Sequence, residues 1–196
     1  NKFKTVEVNN ATSDLNQFTE RLFDDIAKSA LTLVKDDNKI LKVLKYNNKA
    51  KIAYLNISAK GNLNNDVAFI GNQLKNDFSE IKLLNFGKNQ SINNLNEMMQ
   101  QLKKYDIVLV GMHDLSLYPN NNYGFDAVQL EILRQLSRHE KVMFINYGNA
   151  YALKYICDAA SIIETYEENE STYKAVRALL NNTLEPNGKL PVTACV

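Results

Sequence analysis

The chain has no tryptophan and, in 196 residues, only two cysteines, two histidines, three prolines and seven glycines. Each shortage removes a class of function. Neither GxGxxG nor GxxxxGK[ST] occurs, so binding of a dinucleotide or nucleoside triphosphate on a glycine-rich phosphate loop is poorly supported. Cys157, Cys195, His113 and His139 share no ligand spacing, so no zinc site or other metal centre is expected, and no cofactor. There is no GxSxG elbow, and Ser161 and Ser171 lack the context of a nucleophile. No apolar run approaches the roughly 18–20 residues of a membrane helix, so no membrane span is expected. A net charge of +1 sets up no field that would draw in nucleic acid or an anionic membrane.

What is present describes a globular protein. A hydrophobic content of 45% beside 23% charged residues is enough for a packed core, and the length suits one domain of roughly 100–200 residues. No internal repeat or low-complexity linker divides the chain, so residues 1–196 read as a single domain. The chain opens at Asn1 without a leader and stops after an apolar ACV, which predicts a piece of a larger protein. Cys157 and Cys195 both sit in apolar settings and read as buried thiols.

Hydrophobic spacing alternates between helix and strand. Leu15, Phe18, Leu22, Ile26 and Ala30 recur at helical spacing and predict an amphipathic helix from about Ser13 to Ser29, capped by Ser13 or Asp14. Ala30–Lys35 reads as a short strand and Ile40–Leu44 as a short extended piece. Lys51–Ile57 (KIAYLNI) is a strong core strand. A helix over 66–76 turns Val67, Ile70 and Leu74 inward, and Ile81–Asn85 is a strand. Ser91 caps a helix with Ile92, Leu95, Met99 and Leu102 inward. Ile107–Val110 (IVLV) is the continuous apolar run of a central parallel strand, covered on both faces. A polar loop, Gly111–Gly124, leads to a helix over 125–139. Val142–Ile145 is the next central strand, followed by a short helix at Ala150–Ile156, a strand at Ile162–Glu164, a helix over 170–181 and a closing strand at Lys189–Ala194. The pattern predicts an α/β fold: a mostly parallel, doubly wound sheet with helices on both faces, a three-layer α/β/α sandwich.

In such sheets ligands meet the loops at the carboxyl ends of the strands. That edge would carry Ser58–Asn62, Asn85–Lys88, Gly111–Asn122, Asn146–Asn149 and Thr165–Asn169. His113 follows a central strand, as a catalytic or ligand-contacting residue would. The competing reading is a polar loop residue bonded to backbone. Asp114 could orient it, though adjacent side chains rarely meet well. His139, at a helix end, reads as a solvated cap. Glu164, Glu167, Glu168 and Glu170 could bind a cation or do acid–base work, but acids there more often favour the start of the following helix. Gly148 allows positive φ in a tight turn, and Asn149 can cap a helix. A receiver-type phosphorylation site would need an Asp at a central strand end. Asn56, Asn85, Gly111 and Asn146 stand there instead.

Four segments carry a family resemblance: Ala27–Asp37 (AKSALTLVKDD), Ile107–Gly111 (IVLVG), Phe144–Leu153 (FINYGNAYAL), and Ile163–Thr193 with its YEENE turn and closing GKLPVT. In this order they resemble the C-terminal α/β sandwich domain of glycoside hydrolase family 3. Members are retaining exo-glycosidases that pair the sandwich with a barrel bearing an Asp nucleophile, absent here. In the β-glucosidase branch the acid/base is a Glu on the sandwich loop after the central strand. The matching loop, Gly111–Asn122 (GMHDLSLYPNNN), holds Asp114 and no Glu. In the β-N-acetylglucosaminidase branch the acid/base is a His–Asp pair on a barrel loop.

The resemblance to that second branch therefore implies no catalytic residue in this chain. A retaining mechanism needs two groups about 5–5.5 Å apart, and both would lie on the barrel. The expected partner is the catalytic barrel of the same polypeptide, with carbohydrate as a second candidate. His113, Asp114, Tyr118, Tyr147, Asn149 and Glu167 form the expected substrate- or barrel-facing loop set. Tyrosines suit that role because they stack on sugar rings and bury area at interfaces. The parent is expected to be bacterial and exported, to the periplasm or cell surface. The alternatives are a β-glucosidase-type sandwich contributing active-site loop residues, or a stand-alone flavodoxin-like binding domain.

Overall fold

The computed structural model describes residues 11–47, 49–61 and 65–195, leaving out the side chains of 11–15, 17 and 65–69. Six strands form one sheet: β1 (Thr32–Asp36), β2 (Ile52–Ser58), β3 (Ile81–Phe86), β4 (Ile107–His113), β5 (Val142–Asn146) and β6 (Ser161–Glu164). Their order is β1-β6-β5-β4-β2-β3, and every pairing is parallel except β1 with β6. Helices α1 (Ala11–Ala30), α2 (Ile40–Tyr46), α3 (Asn65–Asp77), α4 (Ile92–Leu102), α5 (Ala127–Leu136) and α6 (Glu170–Leu180) cover the two faces, with 3-10 turns at Asn120–Gly124 and Ala150–Tyr155. The expected three-layer α/β/α sandwich is the observed fold.

The period of two along each strand divides the core. Ala53, Leu55, Ile57, Val108, Val110, Met112, Val142 and Phe144 point to one face, where Leu95 of α4, Ile132 and Leu133 of α5 and Leu153 close over them. Ile52, Tyr54, Ile107, Leu109, Met143 and Ile145 point to the other, under Ala27 of α1, Ile40 of α2, Ile70 and Leu74 of α3 and Tyr173 and Val176 of α6. Ser91, Asp126 and Asn169 start α4, α5 and α6 with reciprocal capping boxes. Val67 lies outside the described side chains.

Several expectations need correction. Ile40–Leu44 is helical, not extended. The Asp36 carboxylate accepts the Ile40 and Leu41 N–H groups at 2.9 and 3.2 Å, giving α2 its start, and Ile40 and Leu44 bury one turn apart. Lys189–Ala194 is not a strand. The tail crosses the start of β1 through a backbone bond, Gly188 N–H to the Leu31 carbonyl at 3.1 Å. A Cβ on Gly188 would fall 2.2 Å from the Ala30 carbonyl oxygen, so only glycine passes there. Ile92 is exposed rather than inward. β4 runs on through Gly111 and Met112 to His113, so the following loop begins three residues later than expected. Gly148 does not have positive φ; its lack of a side chain leaves room for Leu115, whose Cβ would stand 3.0 Å from an added Cβ.

The cysteines are not buried thiols: Cys157 and Cys195 form a disulfide with Cα atoms 5.4 Å apart. Apolar flanks do not separate a thiol from a half-cystine, and a sequence separation of 38 carries no register.

The helical stripe of α1 is the largest surprise. Phe18, Leu22, Phe23 and Ile26 are 48–66% exposed. The sandwich is met instead by Ala27 and by Asp24, which accepts the Ser171 hydroxyl at 2.6 Å and pairs with Lys174 at 3.6 Å. Ser13 and Asp14, expected as caps, lie inside α1.

Candidate functional site

β4 places His113 on the same face as Tyr54, and the ring is fully buried. Tyr54 Oη lies 2.8 Å from Nε2, and Glu168 Oε1 lies 2.7 Å from Nδ1. The Tyr147 ring stacks on the imidazole at 4.6 Å and 15°, and Tyr173 packs edge-on against Tyr147. Gly111 creates the space. A Cβ there would sit 2.3 Å from both His113 Nε2 and the Tyr54 hydroxyl.

Glu168 gathers this cluster. Besides His113, its Oε1 accepts the Tyr173 hydroxyl and its Oε2 the Asp114 N–H, both at 2.6 Å. Burial pushes the Glu168 carboxyl up, but the His113 bond and charge, with the Tyr173 and Asp114 donors, outweigh it and hold the group below the ordinary range. Burial likewise raises the Tyr54 hydroxyl well above its ordinary value. An imidazole with both nitrogens engaged and no exposed surface acts as a buried strut.

Asp114 does not orient His113. It turns away in a left-handed conformation, φ 57, and its carboxylate accepts the Ser58 hydroxyl at 2.6 Å and pairs with Lys60 at 3.6 Å. Lys60 is exposed, so that pair contributes little, whereas the bond to buried Ser58 fixes the loop.

Above the cluster, at the carboxyl edge, a cleft of about 400 Å³ is lined by residues that include Lys60, Asp114, Tyr147, Asn149, Glu167 and Glu168. It brings together four of the six expected loop residues: Asp114, Tyr147, Asn149 and Glu167. His113 lies beneath it. Tyr118 is exposed and does not line it. Asn149 caps the 3-10 turn through the Tyr151 N–H at 3.0 Å and bonds the Leu117 carbonyl at 3.1 Å.

The acidic turn divides its work. Asn169, not a glutamate, caps α6, with Glu170 in the first turn. Glu167 stays exposed. Glu164 is buried at the end of β6 beside its register partner Asn146, whose Nδ2 donates to Oε2 at 2.7 Å, while the Tyr166 N–H donates to Oε1 at 2.7 Å. Burial pushes the Glu164 carboxyl up to about 7 against these bonds. Asn146 Oδ1 is buried without a partner among the described residues. His139 is exposed beyond α5, as a solvated turn residue. Sequence reasoning missed Tyr54 and Tyr173; the clue was two inward tyrosines at strand and helix spacing from residues already singled out.

Among the described residues no group of three His, Cys, Asp or Glu side chains is placed to hold a metal ion. No helix there is long and apolar enough to cross a membrane.

The sequence matches no known protein-family model and no curated protein. Solved structures do match its fold. A fungal multi-domain family 3 β-N-acetylglucosaminidase aligns at 14% identity and TM-score 0.70, over 97% of this chain and 20% of its own. A family 3 β-N-acetylglucosaminidase from Paenibacillus sp. str. FPU-7 aligns at 13% identity and TM-score 0.68, over 99% and 36%. The β-glucoside phosphorylase BglX aligns at 17% identity and TM-score 0.65, over 91% and 32%. The chain thus has the α/β sandwich fold found in glycoside hydrolase family 3 structures, as the sequence resemblance implied. It spans only 20–36% of the length of these three chains.

Proposed function

We propose that this chain is an accessory sandwich domain of a family 3 glycoside hydrolase, the parent being a retaining exo-β-N-acetylglucosaminidase. The domain packs on a catalytic barrel of the same polypeptide and supplies no acid, base or nucleophile. One observation carries this reading: the loop after β4 offers a single carboxylate, Asp114, and that group is tied down to Ser58 and Lys60. A β-glucosidase-type sandwich needs a free Glu there. The other candidate groups, His113 beneath the cleft and Glu168 in its lining, bond each other.

The parent is read as bacterial and exported, and the Cys157–Cys195 bridge supports export, because such bridges persist in oxidising compartments. Thiol titration of the protein purified from its own cells under alkylating conditions should find both cysteines blocked to reagent until reductant is added.

The deciding assay offers chromogenic β-glucoside and β-N-acetylglucosaminide to the full-length protein and to residues 1–196. Turnover by the full-length protein alone, on the N-acetylglucosaminide, is expected. Turnover by residues 1–196 alone would overturn the accessory reading. A full-length enzyme active on the glucoside only would overturn the branch assignment.

A further inference from the structure

We propose that the apolar side of α1, formed by Phe18, Leu22, Phe23 and Ile26, is a surface on which the catalytic domain of the same polypeptide docks. The inference rests on the accessory-domain reading above and names a contact surface for it.

Phe18, Leu22 and Ile26 recur every four residues and Phe23 widens their stripe, the pattern a helix shows to an apolar partner. Yet the sandwich does not take that stripe. It binds the opposite side through Ala27 and the polar contacts of Asp24 with Ser171 and Lys174. All the described side chains from Asn16 to Phe23 are exposed. Two phenylalanines, a leucine and an isoleucine left in water on one helix mark an interaction surface rather than scattered exposure.

Two observations choose the occupant. First, the matched enzymes carry about two-thirds or more of their length outside the region this chain covers, so a large covalently linked partner is implied. Second, α1 adjoins the cleft. Glu20, Phe23 and Asp24 share a hollow with Asn169, Glu170, Ser171 and Lys174, while Tyr166, Glu167 and Glu168, just before them in the chain, line the cleft. The stripe and the cleft therefore lie at neighbouring places on the carboxyl edge, where one partner body can cover both. Four side chains fall short of the roughly 800 Å² per partner that a stable dimer of two copies needs.

The test uses the full-length protein with p-benzoylphenylalanine placed at position 18 or 23, aromatic for aromatic, and at exposed Lys103 as a control. After irradiation, adducts are mapped by mass spectrometry. Positions 18 and 23 should yield intramolecular adducts to peptides outside residues 1–196, and position 103 should not. Adducts confined to residues 1–196, adducts between two molecules, or no adducts from 18 and 23 would overturn the docking surface. Glycosidase activity is measured on the same samples. An active enzyme without the expected adducts sinks this inference alone, whereas an inactive protein with no glycosidase domain in its sequence sinks the accessory reading beneath it.

Discussion

Glu164 at the end of β6 and Glu168 in the turn before α6 stand four residues apart, and their environments drive them in opposite directions. Glu164 points to the sheet face of Phe144 and Ile162, where its partners are an amide and a backbone N–H. Glu168 reaches to the face of Tyr54 and Tyr173 and meets an imidazole. Both are largely withdrawn from water. Neutral donors leave the first pushed up to about 7, whereas the His113 contact helps hold the second below its ordinary range. Burial alone does not fix a carboxylate's charge; the partner decides it.

The largest break in this contrast is Glu168→Ala. It strips partners from His113, Asp114 N–H and Tyr173 together, and removing one member of a buried pair costs about 3–5 kcal/mol, read by chemical denaturation at pH 7. A loss near zero would mean the cluster is not a strut. Glu168 also adds stability that is present above its unfolded pKa, roughly 4.3, and lost as pH falls through the lower folded value.

Glu164→Gln should act with the opposite sign. Its folded pKa is raised, so the wild-type carboxyl contributes fully below roughly 4.3 and loses that contribution as pH rises through about 7. The variant should match the wild type near pH 4 and exceed it by roughly 3–4 kcal/mol at pH 8. Equal denaturation midpoints at both pH values would remove the contrast.

Asn146→Ala should cost about 1–2 kcal/mol at pH 8 by leaving Glu164 Oε2 without its donor, and less at pH 4, where the carboxyl is neutral. Tyr166→Phe is the smallest change. It keeps the backbone N–H on Glu164 and loses the hydroxyl's bonds to the Thr32 hydroxyl at 2.8 Å and the Lys189 carbonyl at 3.4 Å, about 1 kcal/mol with no pH dependence.

The sheet was legible because IVLV and KIAYLNI show the two-sided burial of central parallel strands, and the helices between them repeat every three to four residues. Ile40–Leu44 was not, since a five-residue apolar run carries too little periodicity and its cap, Asp36, belongs to the preceding strand. The cleft residues could be placed at one edge from strand ends alone. What His113 does there could not. Its partners lie 59 and 55 residues away, and adjacency drew attention to Asp114 instead. The α1 stripe is legible as apolar, but periodicity reports that a face is apolar and says nothing of what it meets.

The bridge between Cys157 and Cys195 has a mechanical consequence. Tension applied at Cys195 passes straight into the segment after the Ala150–Tyr155 turn and bypasses the 38-residue span holding β6, the acidic turn and α6. Pulling on the tail would therefore not peel β6 from the sheet. A single cut within that span would leave both pieces joined.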